Sequence, residues 1–256
     1  RQMCIRYRDI LMTNIYDDPE FFKGYKSKRN NLLSYNEVVE MPEMKRLMPN
    51  LENQNILDIG CGMGNLISYI LIHNPKHITG VEQSQNMINE SRKKFKSMPV
   101  TLHHTEFMAF NTEEKFDVIV SSLVFHYIED FRKCCQKLSQ LLNNGGVVVF
   151  TMEHPIQTAT MDPEVKKQDE NGVYLRMENY FDESIRSANW LGKNVVKYHH
   201  TIETIFNSLI DHNLEIECVK DLGQSEEVFK YYDEDRINIL RQFPPFLLVK
   251  ARKKEF

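Results

Sequence analysis

The chain has 256 residues, 41% hydrophobic and 27% charged, values that suit one globular domain with a sizeable core and argue against disorder. A formal net charge of -4 offers no general attraction for nucleic acid or an anionic membrane, each of which calls for a basic face. Five cysteines (Cys4, Cys61, Cys134, Cys135, Cys218) without Cys-x-x-Cys spacing argue against structural zinc or a radical cluster and favour a reduced, cytoplasmic setting. No apolar run has the length of a membrane span, and no signal-peptide core is visible.

Residues 1 to about 50 read as a helical lid, with Pro19-Glu20 suiting a helix start and Pro42 and Pro49 interrupting the pattern. The chain opens on Arg1-Gln2-Met3, a start that suggests truncation, and Met12 is an alternative native start. An apolar strand at 55–59 then breaks into Gly60-Cys61-Gly62-Met63-Gly64, followed by a helix at 66–72. Glycines there let a chain reverse after a buried strand and present bare N–H groups to a nucleotide-like ligand. The next strand, 77–82, closes on Glu82, where βαβ units of this kind place the acid that holds ribose hydroxyls. Asn65 stands where a Gly-x-Gly-x-x-Gly nicotinamide site has its third glycine, and no Lys follows as a triphosphate loop requires.

Strands are expected at 100–104, 116–121 and 146–152, and a helix at 129–142 from the spacing of Phe131, Cys134, Cys135, Leu138 and Leu141, stopped by Asn143-Asn144-Gly145-Gly146. From Pro155 to Lys197 the alternation disappears into a long, aromatic-bearing insertion. A helix at 198–210 and strands at 215–219 and 245–251 close the chain. Alternation of strand and helix implies a parallel sheet covered on both faces.

These residues resemble the class I S-adenosylmethionine-dependent methyltransferases. Their first motif, apolar-apolar-Asp-x-Gly-x-Gly-x-Gly, matches Ile56 to Gly64 with Asp58 as its acid. Glu82, the run Phe116 to Tyr127 and the run Leu141 to Phe150 then follow in the family's order. Phe22, Tyr25, Arg29 and Pro42-Glu43-Met44, with Glu153-His154-Pro155 and Lys197 to Thr201, resemble a bacterial small-molecule branch. The likeness covers nearly the whole chain and is loosest from Thr158 to Asn194. It implies an α/β, Rossmann-like fold with a mostly parallel seven-stranded sheet whose last strand is antiparallel. A single domain would divide into a lid (1–50), a cofactor-binding core (51–154), an acceptor-side insertion (155–197) and a C-terminal part (198–256).

The resemblance implies S-adenosylmethionine as cofactor, held by Asp58, Gly60, Cys61, Gly62, Asn65, Glu82, Gln83 and Ser121, with Glu106 and Phe107 at the adenine and Tyr25 and Arg29 reaching the methionine carboxylate. His126 and His154 follow core strands on the methyl side and are candidate general bases, and Glu153 is a candidate partner for an amine. Trp190 and Tyr180 are candidates for an aromatic wall. The doublets His103-His104 and His199-His200 diverge in direction, so no metal site is expected. The expected partner is a small-molecule methyl acceptor, with no nucleic acid and no membrane. Rival readings are a noncatalytic adenosylmethionine-binding regulator and a nicotinamide oxidoreductase. The acceptor atom and the oligomeric state stay open.

Overall fold

The computed structural model describes residues 14–162, 164, 166–170 and 172–255. Cys4, Met12 and the first part of the expected helical lid lie outside the described residues. Five strands run parallel: β1 (Asn55–Ile59), β2 (His77–Glu82), β3 (Val100–His104), β4 (Phe116–Ser122) and β5 (Leu142–Glu153). After β5 the chain leaves the sheet for two antiparallel hairpins, β6 (Lys166–Asp169) with β7 (Gly172–Leu175) and β8 (Ile185–Trp190) with β9 (Lys193–Tyr198). It returns as β10 (Leu214–Leu222) and β11 (Phe246–Lys253), and β11 inserts between β5 and β10, antiparallel to both. The seven-strand order is β10-β11-β5-β4-β1-β2-β3. Connections from β1 proceed outward to β2 and β3, then jump back to β4, so a crevice opens at the carboxyl ends of β1 and β4.

Helices α1 (Pro19–Arg29), α2 (Met41–Leu47), α3 (Asn65–Leu71), α4 (Gln85–Lys94), α5 (Phe131–Leu141), α6 (Pro155–Thr158), α7 (Ile202–Asp211), α8 (Glu226–Phe229) and α9 (Glu234–Gln242) surround the sheet. Successive strand residues point to opposite faces, and the core divides accordingly. Ile56, Val118, Val120, Val147 and Val149 pack with α2, α3 and α9, whereas Leu57, Ile119, Val148 and Phe150 pack with α5 and α7. The apolar stripe expected on α5 is buried throughout, each large side chain contributing about 1.5–3 kcal/mol.

Four local differences from the sequence reading have physical causes. Pro42 does not interrupt the lid; it lies in the first turn of α2, which continues from a π-helical turn at Asn36–Glu40. The strand β5 begins at Leu142, directly after α5, with Gly145 at φ 75° inside it. Tyr198 ends β9, and α7 starts only after Thr201, whose hydroxyl accepts from the Thr204 N–H. The insertion is two hairpins rather than irregular chain, because Leu191-Gly192, both at positive φ, turn β8 into β9. No helix among the described residues is long and apolar enough to cross a membrane.

Candidate functional site

The turn after β1 is built for close approach. Gly60 has φ 68°, and a Cβ there would lie 2.2 Å from Val124 Cγ2; at Gly64, φ 77°, a Cβ would lie 2.2 Å from the Phe95 ring. The Gly60 and Cys61 N–H groups donate to the Val81 carbonyl at 2.7 and 3.1 Å, tying the turn to β2. One residue on, Glu82 is 8% exposed, and its carboxylate accepts from the Gly62 N–H at 3.0 Å and the Ser84 N–H at 2.7 Å. Burial pushes the Glu82 carboxyl up, against the downward pull of those N–H groups.

The N-terminal segment, expected to be a lid, reaches the same place. Asp17 accepts from the Ser84 hydroxyl at 2.7 Å and the Asn86 N–H at 3.0 Å, so it fastens the lid at the start of α4. Glu40, fully buried in the π-helical turn, accepts from Ser122 Oγ at 2.6 Å, from Thr151 Oγ1 and from Asn36 Nδ2 at 2.9 Å. Lid and strand ends are therefore joined by satisfied carboxylates rather than by apolar contact alone.

Below the glycine turn lies a cavity lined by Tyr25, Arg29, Asp58, Cys61, Asn65 and Ser122 among others. Asp58 is 1% exposed, and its Oδ2 has no hydrogen-bond partner; neither has the buried Arg29 Nη1 among the described residues, its closest carboxylate being that of Glu37 at 3.8 Å. Burial holds the Asp58 carboxyl well above the usual range, Glu82 adds to this, and Arg29 opposes it. The burial of Cys61 raises its thiol pKa, so it is a neutral wall here. An adjoining cavity, sharing Tyr25, Gly60, Gly62 and Ser122, runs past Glu82 and Gln83 to Glu106 and Phe107. Phe107 is buried with the Lys137 ammonium 5.1 Å from its ring centre, while Gln83 and Glu106 are exposed at the mouth.

A third space of about 510 Å³ opens from the same crevice and shares Tyr16, Tyr25, Ser122, Leu123 and Tyr127 with it. Trp190 forms one wall, edge-on to Phe21, Tyr25 and Tyr16 at 5.4, 5.7 and 6.3 Å between ring centres. The Tyr16 and Tyr127 hydroxyls meet at 3.1 Å, and burial raises the pKa of both phenols. Glu153, paired with Lys197, also lines the chamber; burial raises its carboxyl pKa, but the Lys197 ammonium outweighs that and keeps it low.

His126 lines this chamber and is 2% exposed. The Glu153 N–H donates to its Nδ1 at 3.2 Å, which leaves the ring hydrogen on Nε2. Burial first, with Lys197 and His200 adding to it against the opposing pull of Glu153, lowers its pKa to about 4, so the imidazole is neutral at physiological pH. The structure does not bring His154 into the group. Its Nδ1 accepts from the Ile156 N–H at 3.2 Å, capping α6, and its Nε2 meets Asp221 on the outer strand at 3.0 Å. Ser121 is likewise turned away, donating to the Ile59 carbonyl at 3.1 Å; Ser122, the next residue and so on the opposite face of β4, lines the crevice instead. Tyr180 sits apart from Trp190, its hydroxyl accepting from the Ile202 N–H at 3.0 Å and its ring edge-on to His199.

Sequence reasoning missed Tyr16 and Glu40, whereas Ser122 and Tyr127 belong to the run after β4 that was expected to ring the crevice, and they do line it. Among the described residues no group of three His, Cys, Asp or Glu side chains is placed to hold a metal ion.

Comparison with known proteins agrees with the fold. A family profile described as "Methyltransferase domain" matches residues 57–150, from β1 to β5. A Haemophilus influenzae protein described as uncharacterized is 33% identical over 94% of this chain and 98% of its own. An uncharacterized methyltransferase of Bacillus cytotoxicus is 30% identical, but the match covers only 47% of this chain and 57% of that protein. In structure, an S-adenosylmethionine-dependent methyltransferase from Mesorhizobium loti superposes with a TM-score of 0.76 at 30% identity, covering 83% of this chain and 97% of that one.

Proposed function

The chain belongs to the S-adenosylmethionine-dependent methyltransferase family, and on that footing we propose that it methylates a small molecule held in the chamber beside Trp190. The observation that carries the reading is the pair of unpartnered atoms, Asp58 Oδ2 and Arg29 Nη1, in one cavity under the glycine turn. An amino acid end complements both: its ammonium gives Asp58 a donor and its carboxylate gives Arg29 an acceptor, each a charge-assisted bond. When bound, S-adenosylmethionine supplies an activated methyl carbon open to in-line displacement.

In this reading the Glu82 carboxylate, already fixed by two backbone N–H groups, keeps lone pairs for the ribose hydroxyls. Gly60, Gly62, Cys61 and Asn65 shape the floor, and Gln83, Glu106 and Phe107 flank the adenine. Tyr25 packs over the methionine end from the lid. His126, neutral with its hydrogen on Nε2, orients an acceptor as a donor, and His154 holds α6 in place. A chamber of about 510 Å³ suits a small ligand. The buried, unpaired thiols of Cys61, Cys134 and Cys135 support a reducing, cytoplasmic setting.

Calorimetric titration with S-adenosylmethionine, S-adenosylhomocysteine and NADH tests the reading. Saturable binding of the first two but not of NADH is expected, with both lost in Arg29→Gln. Binding of NADH alone overturns it. Binding of the adenosyl pair with no turnover over a broad acceptor screen favours a noncatalytic regulator.

A further inference from the structure

We propose that the acceptor is a small carboxylate and that the methyl group is placed on a carboxylate oxygen; this rests on the chamber beside Trp190 being the acceptor site. Four cationic side chains line that chamber (Lys28, Arg29, Lys197 and Arg236), against a single carboxylate, Glu153. Glu153 is already tied to Lys197, and Arg29 lies 3.8 Å from Glu37. Lys28 and Arg236 differ from these, for neither the Lys28 ammonium nor the Arg236 guanidinium has a carboxylate within 4.0 Å among the described residues, Arg236 meeting Asp233 only through its backbone N–H. Each is held over an aromatic ring instead, Lys28 at 6.0 Å from Trp190 and Arg236 at 5.5 Å from Tyr232. An entering anion meets two uncompensated cations and displaces no existing partner. An amine meets the same cations and one carboxylate that is already occupied.

The second line of argument is the supply of proton acceptors. A neutral alcohol or an ammonium has to lose a proton to become a nucleophile. The chamber offers Tyr16 and Tyr127 as neutral phenols bonded to each other, His126 with Nδ1 filled, and Glu153 bound to Lys197. A carboxylate needs none of them, because its lone pair is free at neutral pH. Its oxygen forms the O–CH₃ bond as the S–CH₃ bond breaks, and the electron pair stays on sulfur. Anion and sulfonium charges cancel, the products are a methyl ester and S-adenosylhomocysteine, and no proton leaves.

Trp190 is the only tryptophan in the chain, so its fluorescence reports on this chamber. The experiment titrates protein saturated with S-adenosylhomocysteine with a panel of aliphatic and aromatic carboxylates, the matching amides, inorganic phosphate and 1,4-diaminobutane. A saturable response to at least one carboxylate is expected, with its amide and the diamine weaker by about tenfold or more. Lys28→Gln and Arg236→Gln, both at exposed positions, should weaken that response about tenfold and leave the affinity for S-adenosylhomocysteine unchanged. With S-adenosylmethionine, the responding carboxylate should yield a product that releases methanol in mild alkali. A response to the diamine or to the amide as strong as that to the carboxylate, a stronger response to phosphate than to any carboxylate, an alkali-stable product, or no carboxylate response overturns the proposal. Failure to bind S-adenosylhomocysteine at the outset instead overturns the reading beneath it.

Discussion

Asp58 and Arg29 each bury one atom, Oδ2 and Nη1, that meets no hydrogen-bond partner among the described residues, and both side chains line one cavity. Leaving such a group unpaired costs about 1–3 kcal/mol, more when it is charged, so a zwitterionic ligand end relieves both at once. Asp58 carries its proton to unusually high pH because of burial first and Glu82 second. An ammonium beside it favours the carboxylate, so binding of S-adenosylmethionine releases a proton and affinity rises with pH through the raised pKa. Calorimetry in buffers of different ionisation heat reads that proton. Asp58→Asn should abolish the release and weaken binding about 10- to 100-fold; release that persists in the variant sinks the assignment.

Glu82 links the glycine turn to the lid, since Ser84 donates its N–H to Glu82 and its hydroxyl to Asp17. Glu82→Ala removes the acceptor for Gly62 and Ser84 and the partner assigned to the ribose. Because the ribose is common to cofactor and product, affinities for S-adenosylmethionine and S-adenosylhomocysteine should fall together, by about 10- to 100-fold. Unequal losses, or none in titration, would remove Glu82 from the ribose.

Glu40 has a different task. It draws the Ser122 and Thr151 hydroxyls and the Asn36 amide onto one fully buried carboxylate, so the π-helical turn is fastened to the ends of β4 and β5. Glu40→Ala leaves these donors unpaired beside a cavity, a loss of about 2–5 kcal/mol in urea unfolding. Glu40→Gln, of the same shape, should cost less, and limited proteolysis of the alanine variant should begin in the lid. A loss under about 1 kcal/mol for the alanine variant would show that the lid docks by other means.

The strands β1 and β2 were legible because buried parallel strands advertise themselves as short apolar runs, and both carry the expected bounds without change; β3 does too, although it lies at the sheet edge with no buried residue. The glycine turn and Glu82 were legible because their spacing is fixed by one helix and one strand. The insertion was not: β6 to β9 form two-stranded hairpins with mixed faces, so neither period 2 nor an apolar run marks them. Glu40 and Tyr16 were hidden for another reason. Each acts through contacts made about a hundred residues away, to Thr151 and Tyr127, and nothing local distinguishes them from solvated lid residues. Between Ser121 and Ser122 the difficulty was facing, since neighbours on a strand point to opposite sides and no local signal says which hydroxyl meets the crevice.

His126 makes the molecule acid-sensitive. Burial depresses its pKa from 6.5 to about 4, so in that window the unfolded chain holds a proton that the native chain refuses. The unfolded state then binds more protons, and stability falls as pH drops from 6.5 towards 4, by up to about 3 kcal/mol for this one group; below the native pKa both states are protonated and its contribution stops changing. His154, His199 and His200 are depressed by burial as well and steepen the same curve. His126→Asn keeps an acceptor near the Glu153 N–H but cannot titrate. Urea unfolding at a series of pH values should therefore show a shallower loss between pH 6.5 and 4 in the variant than in the wild type. The difference between the two curves isolates this ring from the other histidines. Parallel curves would mean that His126 is protonated in the native state, and its neutral, donor-only role in the chamber would fall with it.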